Sequence, residues 1–179
     1  MKSSILISIK PKWVAKILNG EKTIEIRKTA PKCDLPIEVY IYCTKKGGLM
    51  RDVTPVTTYF ISSPVGPVTS NKSERLEGKV VAKFVLKKVE SVPYWEHINP
   101  NDMEQTSLTW NELYDYVGDR NFYAWHISDL VIFDEPKTIW QMKFFSKPKK
   151  VRQTRYYNVL ESKQISKAPQ SWCYVEVME

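Results

Sequence analysis

Lys22, Glu25 and Arg27 lie close together and alternate in charge. Side chains along a strand point to opposite faces with period two. A strand over about residues 23–28 therefore puts Thr23, Glu25 and Arg27 on one face, with Lys22 entering just after Gly20. A carboxylate held between fixed cations stays ionised and accepts hydrogen bonds from an amino edge, while the cations suit a phosphate. Lys10, at the end of a first strand and on the same face as Ser8, completes a candidate cleft of Lys10, Lys22, Glu25 and Arg27. The plain alternative is a surface ion-pair patch, which contributes little energy.

Two further groups carry possible chemistry. In the first, Trp125 stands beside His126 and near Ser128. An aromatic ring can stack on a base and a histidine can donate to it; equally, Trp125 can be a core residue and His126 a satisfied polar one. The second is the run from Lys143 to Arg155, with six cations and no acid, which includes Lys149, Lys150, Arg152 and Arg155 and is followed by Tyr156 and Tyr157. Cations contact phosphates and tyrosines stack on bases; a solvated loop is the alternative.

The elements that must position these groups follow from patterning. Ile5, Ile7 and Ile9 alternate with serines, which predicts a half-buried strand over 4–9. Pro11 suits the first turn of a helix whose apolar face is Trp13, Val14, Ile17 and Leu18, ending at Gly20. Residues 37–43, 79–89 and 172–177 read as strands, rich in β-branched and aromatic residues. Thr109 and Glu112 form a capping box ahead of a helix over about 110–117. Residues 121–127 read as a second short helix, and 130–133 and 138–144 as strands. The segment 44–78 loses regularity and reads as a partly packed lid. Strands outnumber helices and no βαβ alternation is visible. The expectation is an α+β fold: one domain over 1–179, a small, mainly antiparallel β-barrel flanked by short helices.

The chain of 179 residues carries 27 Lys and Arg against 20 Asp and Glu, a formal charge of +7. That balance favours an anionic partner, of which nucleic acid is the commonest. The three cysteines, Cys33, Cys43 and Cys173, form no CxxC pair, and the two histidines lie far apart. We therefore expect free thiols, no metal, no cofactor and a cytoplasmic location. No apolar run approaches the roughly 20 residues that cross a bilayer, so no membrane partner is expected.

The run from Ser8 to Arg27, with Ile17-Leu-Asn-Gly-Glu-Lys-Thr-Ile-Glu-Ile-Arg27 at its heart, resembles the signature of ASCH domains in the PUA-like superfamily. Tyr123-Ala-Trp-His-Ile-Ser-Asp-Leu130 and Pro169-Gln-Ser-Trp-Cys-Tyr-Val175 resemble a phage- and prophage-type branch of it. The resemblance implies a PUA-like barrel with insertions at about 44–78 and 146–170, and an RNA- or nucleotide-binding role, possibly regulatory. A smaller branch of the family removes the acyl group from N4-acetylcytidine, using a Lys-Thr-x-Thr strand and a distant glutamate. Lys22 and Thr23 match that pattern, Glu25 occupies the nucleophile position, and Glu104 falls roughly where the distant glutamate would. If the chain is an enzyme, an amidohydrolase or ribonuclease, the resemblance makes Lys22, Glu25 and Glu104 its catalytic residues. A carboxylate in place of the nucleophilic hydroxyl speaks against amide hydrolysis. Binding of RNA or a nucleotide is the first expectation, and a phage-type protein-interaction module is the third.

Overall fold

The computed structural model describes residues 2–52, 57–62, 73–147, 149–153 and 158–177 and, of 149–153 and 158–160, the backbone alone. In chain order the elements are β1 (Lys2–Ile9), α1 (Pro11–Leu18), β2 (Ile24–Arg27), β3 (Ile37–Cys43), β4 (Leu49–Asp52), β5 (Thr58–Ile61), β6 (Ser73–Arg75) and β7 (Val80–Val92). A 3-10 turn (Trp95–His97) leads to α2 (Pro100–Thr106), α3 (Trp110–Val117) and β8 (Phe122–Lys137). The chain continues through α4 (Ile139–Met142), β9 (Phe144–Phe145), β10 (Lys149–Gln153), β11 (Asn158–Glu161) and β12 (Trp172–Val177).

Seven strands form the main sheet in the order β2-β8-β7-β3-β1-β12-β9. Every pairing in it is antiparallel except β1 with β3. The fold is thus mixed α and β, mostly strand, as expected. The expected barrel is only loosely realised, because among the described residues no ladder joins the outer strands β2 and β9 and the sheet is not closed. Side chains bridge part of the gap instead. Arg27 on β2 donates to the Ser8 carbonyl at 2.8 Å and to Ser171 Oγ at 3.2 Å, and Trp172 Nε1 donates to Thr29 Oγ1 at 3.0 Å.

β1 is buried from Ser4 to Ile9 rather than on alternate residues. Both its faces are covered. Ile5, Ile7 and Ile9 pack with α1, β3 and Trp125, whereas Leu6 packs with Tyr40, Tyr42, Phe144 and Val175 on the other side. A third apolar group sets Ile24, Ile26 and Ala124 against Met103 of α2 and Leu113 and Val117 of α3. The sheet is therefore clad with helices where the sequence pattern predicted solvent.

Three segments depart from expectation. Residues 121–127 are strand, not helix: Phe122 to Val92 and Ile24 to His126 mark the ends of a stretch of β8 paired on both sides. Two ladders outweigh a weak local helical preference. The stretch 130–133 continues the same strand, and 138–144 holds helix α4, because Thr138 and Gln141 form a second capping box. The segment 44–78 contains regular structure in its described part. Its described part is a three-stranded sheet, β5-β4-β6. Arg51 of β4 fastens it to β8, donating to the carbonyls of Phe133 at 3.0 Å and Asp134 at 2.8 Å while pairing with Glu74. The described backbone of the basic run contributes β10, which pairs antiparallel with β11.

Candidate functional site

Gly20, at a φ of +77°, lets the chain turn out of α1 and enter β2. Lys22 sits in this turn and is 2% exposed. Its ammonium donates to the carbonyls of Ile24 and Thr106, both at 2.7 Å, and pairs with Glu25 at 3.3 Å. An ammonium has three donors, and all three have acceptors here. Burial pushes the Lys22 pKa below the ordinary lysine value, and the Glu25 charge opposes that shift.

Glu25 is the middle of the cluster. One carboxylate oxygen faces Lys22 and the other faces Arg27 Nη2 at 3.0 Å. Arg27 reaches on to Ser8 and Ser171, across the open side of the sheet. Its Nε is buried with no hydrogen-bond partner. Trp125 stands directly opposite Glu25 in the ladder between β2 and β8, so the two side chains share a face. The Trp125 ring is fully buried, meets Trp172 edge to face at 5.4 Å, and leaves its own Nε1 without a partner. Burial also raises the Tyr116 pKa, and the nearby Arg27 opposes that rise. The result is two cations on one carboxylate, beside two buried N–H groups that still have donating capacity. Burying a charge costs several kcal/mol unless it is paired and hydrogen-bonded (about that order per ion). The excess positive charge and the free donors both fit an anionic or acceptor-rich ligand at the seam between β2 and β1.

Not every expected residue joins this cluster. Thr23 is exposed and donates to Gln105 Oε1 at 3.0 Å. Lys10 is exposed and lines a separate cavity with Lys12, Lys45 and Lys46. Glu104 is exposed on α2, and Lys22 is met from that helix by the Thr106 carbonyl, not by a glutamate. Trp125 and His126 do not act together. As neighbours in a strand they take opposite faces, and His126 Nε2 meets Glu90 at 2.5 Å, with Lys88 on the other Glu90 oxygen at 2.9 Å. The side chains of Lys149, Lys150 and Arg152, and all of Arg155, lie outside the described residues.

Sequence reasoning missed Ser171, Thr106 and the two unpartnered N–H groups. Asn99 followed by Pro100 was a usable signal for the helix that delivers Thr106, since Asn caps its first turn and proline fits N1.

Among the described residues there is no group of three or more His, Cys, Asp and Glu placed to hold a metal ion, and the cysteines are free. Burial pushes the Cys43 thiol up to about 12. No helix among these residues is long and apolar enough to cross a membrane.

The molecule thus combines an open, mostly antiparallel sheet with a buried charge cluster at its outer strand β2. The chain belongs to the ASCH domain family, whose model matches residues 7–177. It is similar in fold to the crystal structure of ASCH from Zymomonas mobilis, with a TM-score of 0.60 at 16% identity, covering 97% of this chain and 87% of that one. A serine-to-alanine variant of the Zymomonas protein gives the same TM-score and identity over 97% and 88% of the two chains. A tyrosine-to-phenylalanine variant gives 0.54 at 18% identity over 78% of each. No curated protein matches the chain.

Proposed function

We propose that this ASCH protein binds single-stranded RNA or its nucleotides in the cytoplasm, through the seam lined by Lys22, Glu25, Arg27 and Trp125. The observation that carries this reading is the buried cluster of two cations on one carboxylate, next to the unpartnered Arg27 Nε and Trp125 Nε1. In this reading Glu25 accepts from the amino edge of a base, and the free donors serve ring or phosphate oxygens. The family and the formal charge of +7 support the same class of partner. We read the chain as one domain with two insertions. Its Tyr123–Leu130 and Pro169–Val175 motifs favour the phage- and prophage-type branch, and the role we assign is regulatory.

The enzyme reading has one specific observation behind it, the lowered pKa of Lys22, which suits a base. Against it, Lys22 gives all three protons to fixed acceptors, and no hydroxyl replaces Glu25 at the nucleophile position.

Fluorescence anisotropy with a short labelled single-stranded RNA tests the binding. Affinity should fall steeply between about 50 and 200 mM salt as counterions are released. Absence of binding at the low end removes the reading. Incubation with N4-acetylcytidine and with labelled RNA tests the other: turnover lost in Lys22→Ala would put catalysis first.

A further inference from the structure

The cavity that takes Lys10 away from the buried cluster is itself organised. It has a volume of about 310 Å³ and is lined by Lys10, Pro11, Lys12, Thr44, Lys45, Lys46, Gly47 and Ile61. Its position follows from topology. β1 and β3 are the parallel pair of the main sheet, so both strands end at the same edge, at Ile9 and Cys43. The next residues of each strand, Lys10 and then Thr44-Lys45-Lys46, emerge side by side, and the Thr44 amide donates to the Ile9 carbonyl at 2.9 Å.

The loop is held there by contact. A Cβ built on Gly47 would lie 2.5 Å from Pro11 Cγ, so only glycine lets the loop press against the start of α1. Lys10, Lys45 and Lys46 have no acidic partner among the described residues. The acids nearby are already engaged: Glu112 by Lys12 at 2.6 Å, and Glu77 by the Gly48 amide at 2.8 Å and by Arg75. Four lysines from two segments thus line a cavity, and only Lys12 has a carboxylate partner among the described residues. Trp13 links this cavity to the buried cluster, since its ring lies 4.4 Å from Lys12 Nζ and 5.6 Å from Lys22 Nζ.

We propose that this cavity is a phosphate-binding subsite, taking a phosphate of the RNA whose base lies toward Trp13 and the seam. It rests on the RNA-binding reading for its substrate, not for its chemistry. The phosphate has two possible sources, an internal phosphodiester or a terminal 5′-phosphate.

The test uses the full chain in three forms: wild type, the triple variant Lys10→Gln/Lys45→Gln/Lys46→Gln, and a control of equal charge, Lys87→Gln/Lys163→Gln/Lys167→Gln. All six positions are exposed, and circular dichroism checks that each form is folded. Titration with inorganic pyrophosphate by calorimetry should give a binding heat in wild type and control that vanishes in the cavity variant. No heat in wild type, or equal heat in all three, overturns the subsite. With RNA, the cavity variant should lose about tenfold or more in affinity, and its log–log salt slope should flatten by about 0.7 for the one phosphate no longer held. The control should change less than twofold. Equal weakening of both variants overturns the proposal, because net charge alone would then account for it. Loss with 5′-phosphorylated RNA only assigns the site to the terminal group, and loss with both RNAs to the backbone. Pyrophosphate heat confined to proteins with the intact cavity, but no RNA binding by any of them, keeps the phosphate site and removes the RNA reading.

Discussion

Two clusters of similar composition lie on strands that meet at β8. In each, a glutamate sits between two basic side chains: Glu25 with Lys22 and Arg27, and Glu90 with Lys88 and His126. Their surroundings differ. The first has side chains 2%, 9% and 7% exposed and reaches backbone carbonyls on two further segments. The second keeps 58% of Lys88 and 38% of Glu90 in water. Composition alone does not separate a buried charge cluster from a surface ion pair. Burial does, because only the first cluster must have its charge balance completed by protein or ligand.

The largest expected effect breaks this contrast directly. Glu25→Ala leaves Lys22 and Arg27 buried without a counter-charge and should lower stability by about 3–5 kcal/mol in urea denaturation. Glu90→Ala should cost below about 1 kcal/mol. Equal losses would mean that the first cluster is as solvated as the second. Next in size is Lys22→Met, which strips a donor from the Ile24 and Thr106 carbonyls and should cost about 1–3 kcal/mol. The pH dependence has a definite sign. The Lys22 pKa is lowered in the folded chain, so burying its charge carries a cost at neutral pH, and that cost disappears as pH rises from the folded value towards 10.5. Wild type should therefore gain on Lys22→Met over that interval, read from paired denaturation curves. A constant difference would mean that Glu25 fully compensates the burial.

A smaller effect sharpens the comparison at an exposed pair with a structural task. Glu112 caps α3 with Thr109 and meets Lys12, which holds its carboxyl down at about 2. That stabilisation is complete above about 4.5 and is lost as pH falls towards 2. Glu112→Gln should flatten this part of the acid-unfolding profile, and Thr109→Ala should cost about 1 kcal/mol. Smallest of all, Lys88→Ala should change stability by no more than about 0.5 kcal/mol, checked by its thermal midpoint. A larger change would make the Glu90 group a second built site.

The legible parts of this chain were those set by local rules. Strand period put Glu25 and Arg27 on one face, proline and glycine bracketed α1, and Thr109 with Glu112 marked α3. What was not legible depended on distant partners. Residues 121–127 read as a helix in the sequence; Ala124 and Trp125 are both buried, and consecutive apolar residues hide the alternation of a strand covered on both faces. The barrel was overdrawn for a related reason: patterning reports strands, while closure depends on whether the outer edges meet. The Lys22 acceptors could not be read from spacing, since main-chain oxygens carry no residue signature.

That last point extends to Arg51. Its fork addresses the oxygens of Phe133 and Asp134, which every residue type possesses. For this fastening, drift at positions 133 and 134 is harmless, while exchange of the arginine, even for lysine, loses the planar two-pronged grip. The joint between the small sheet and β8 is thus robust to mutation on one side and brittle on the other.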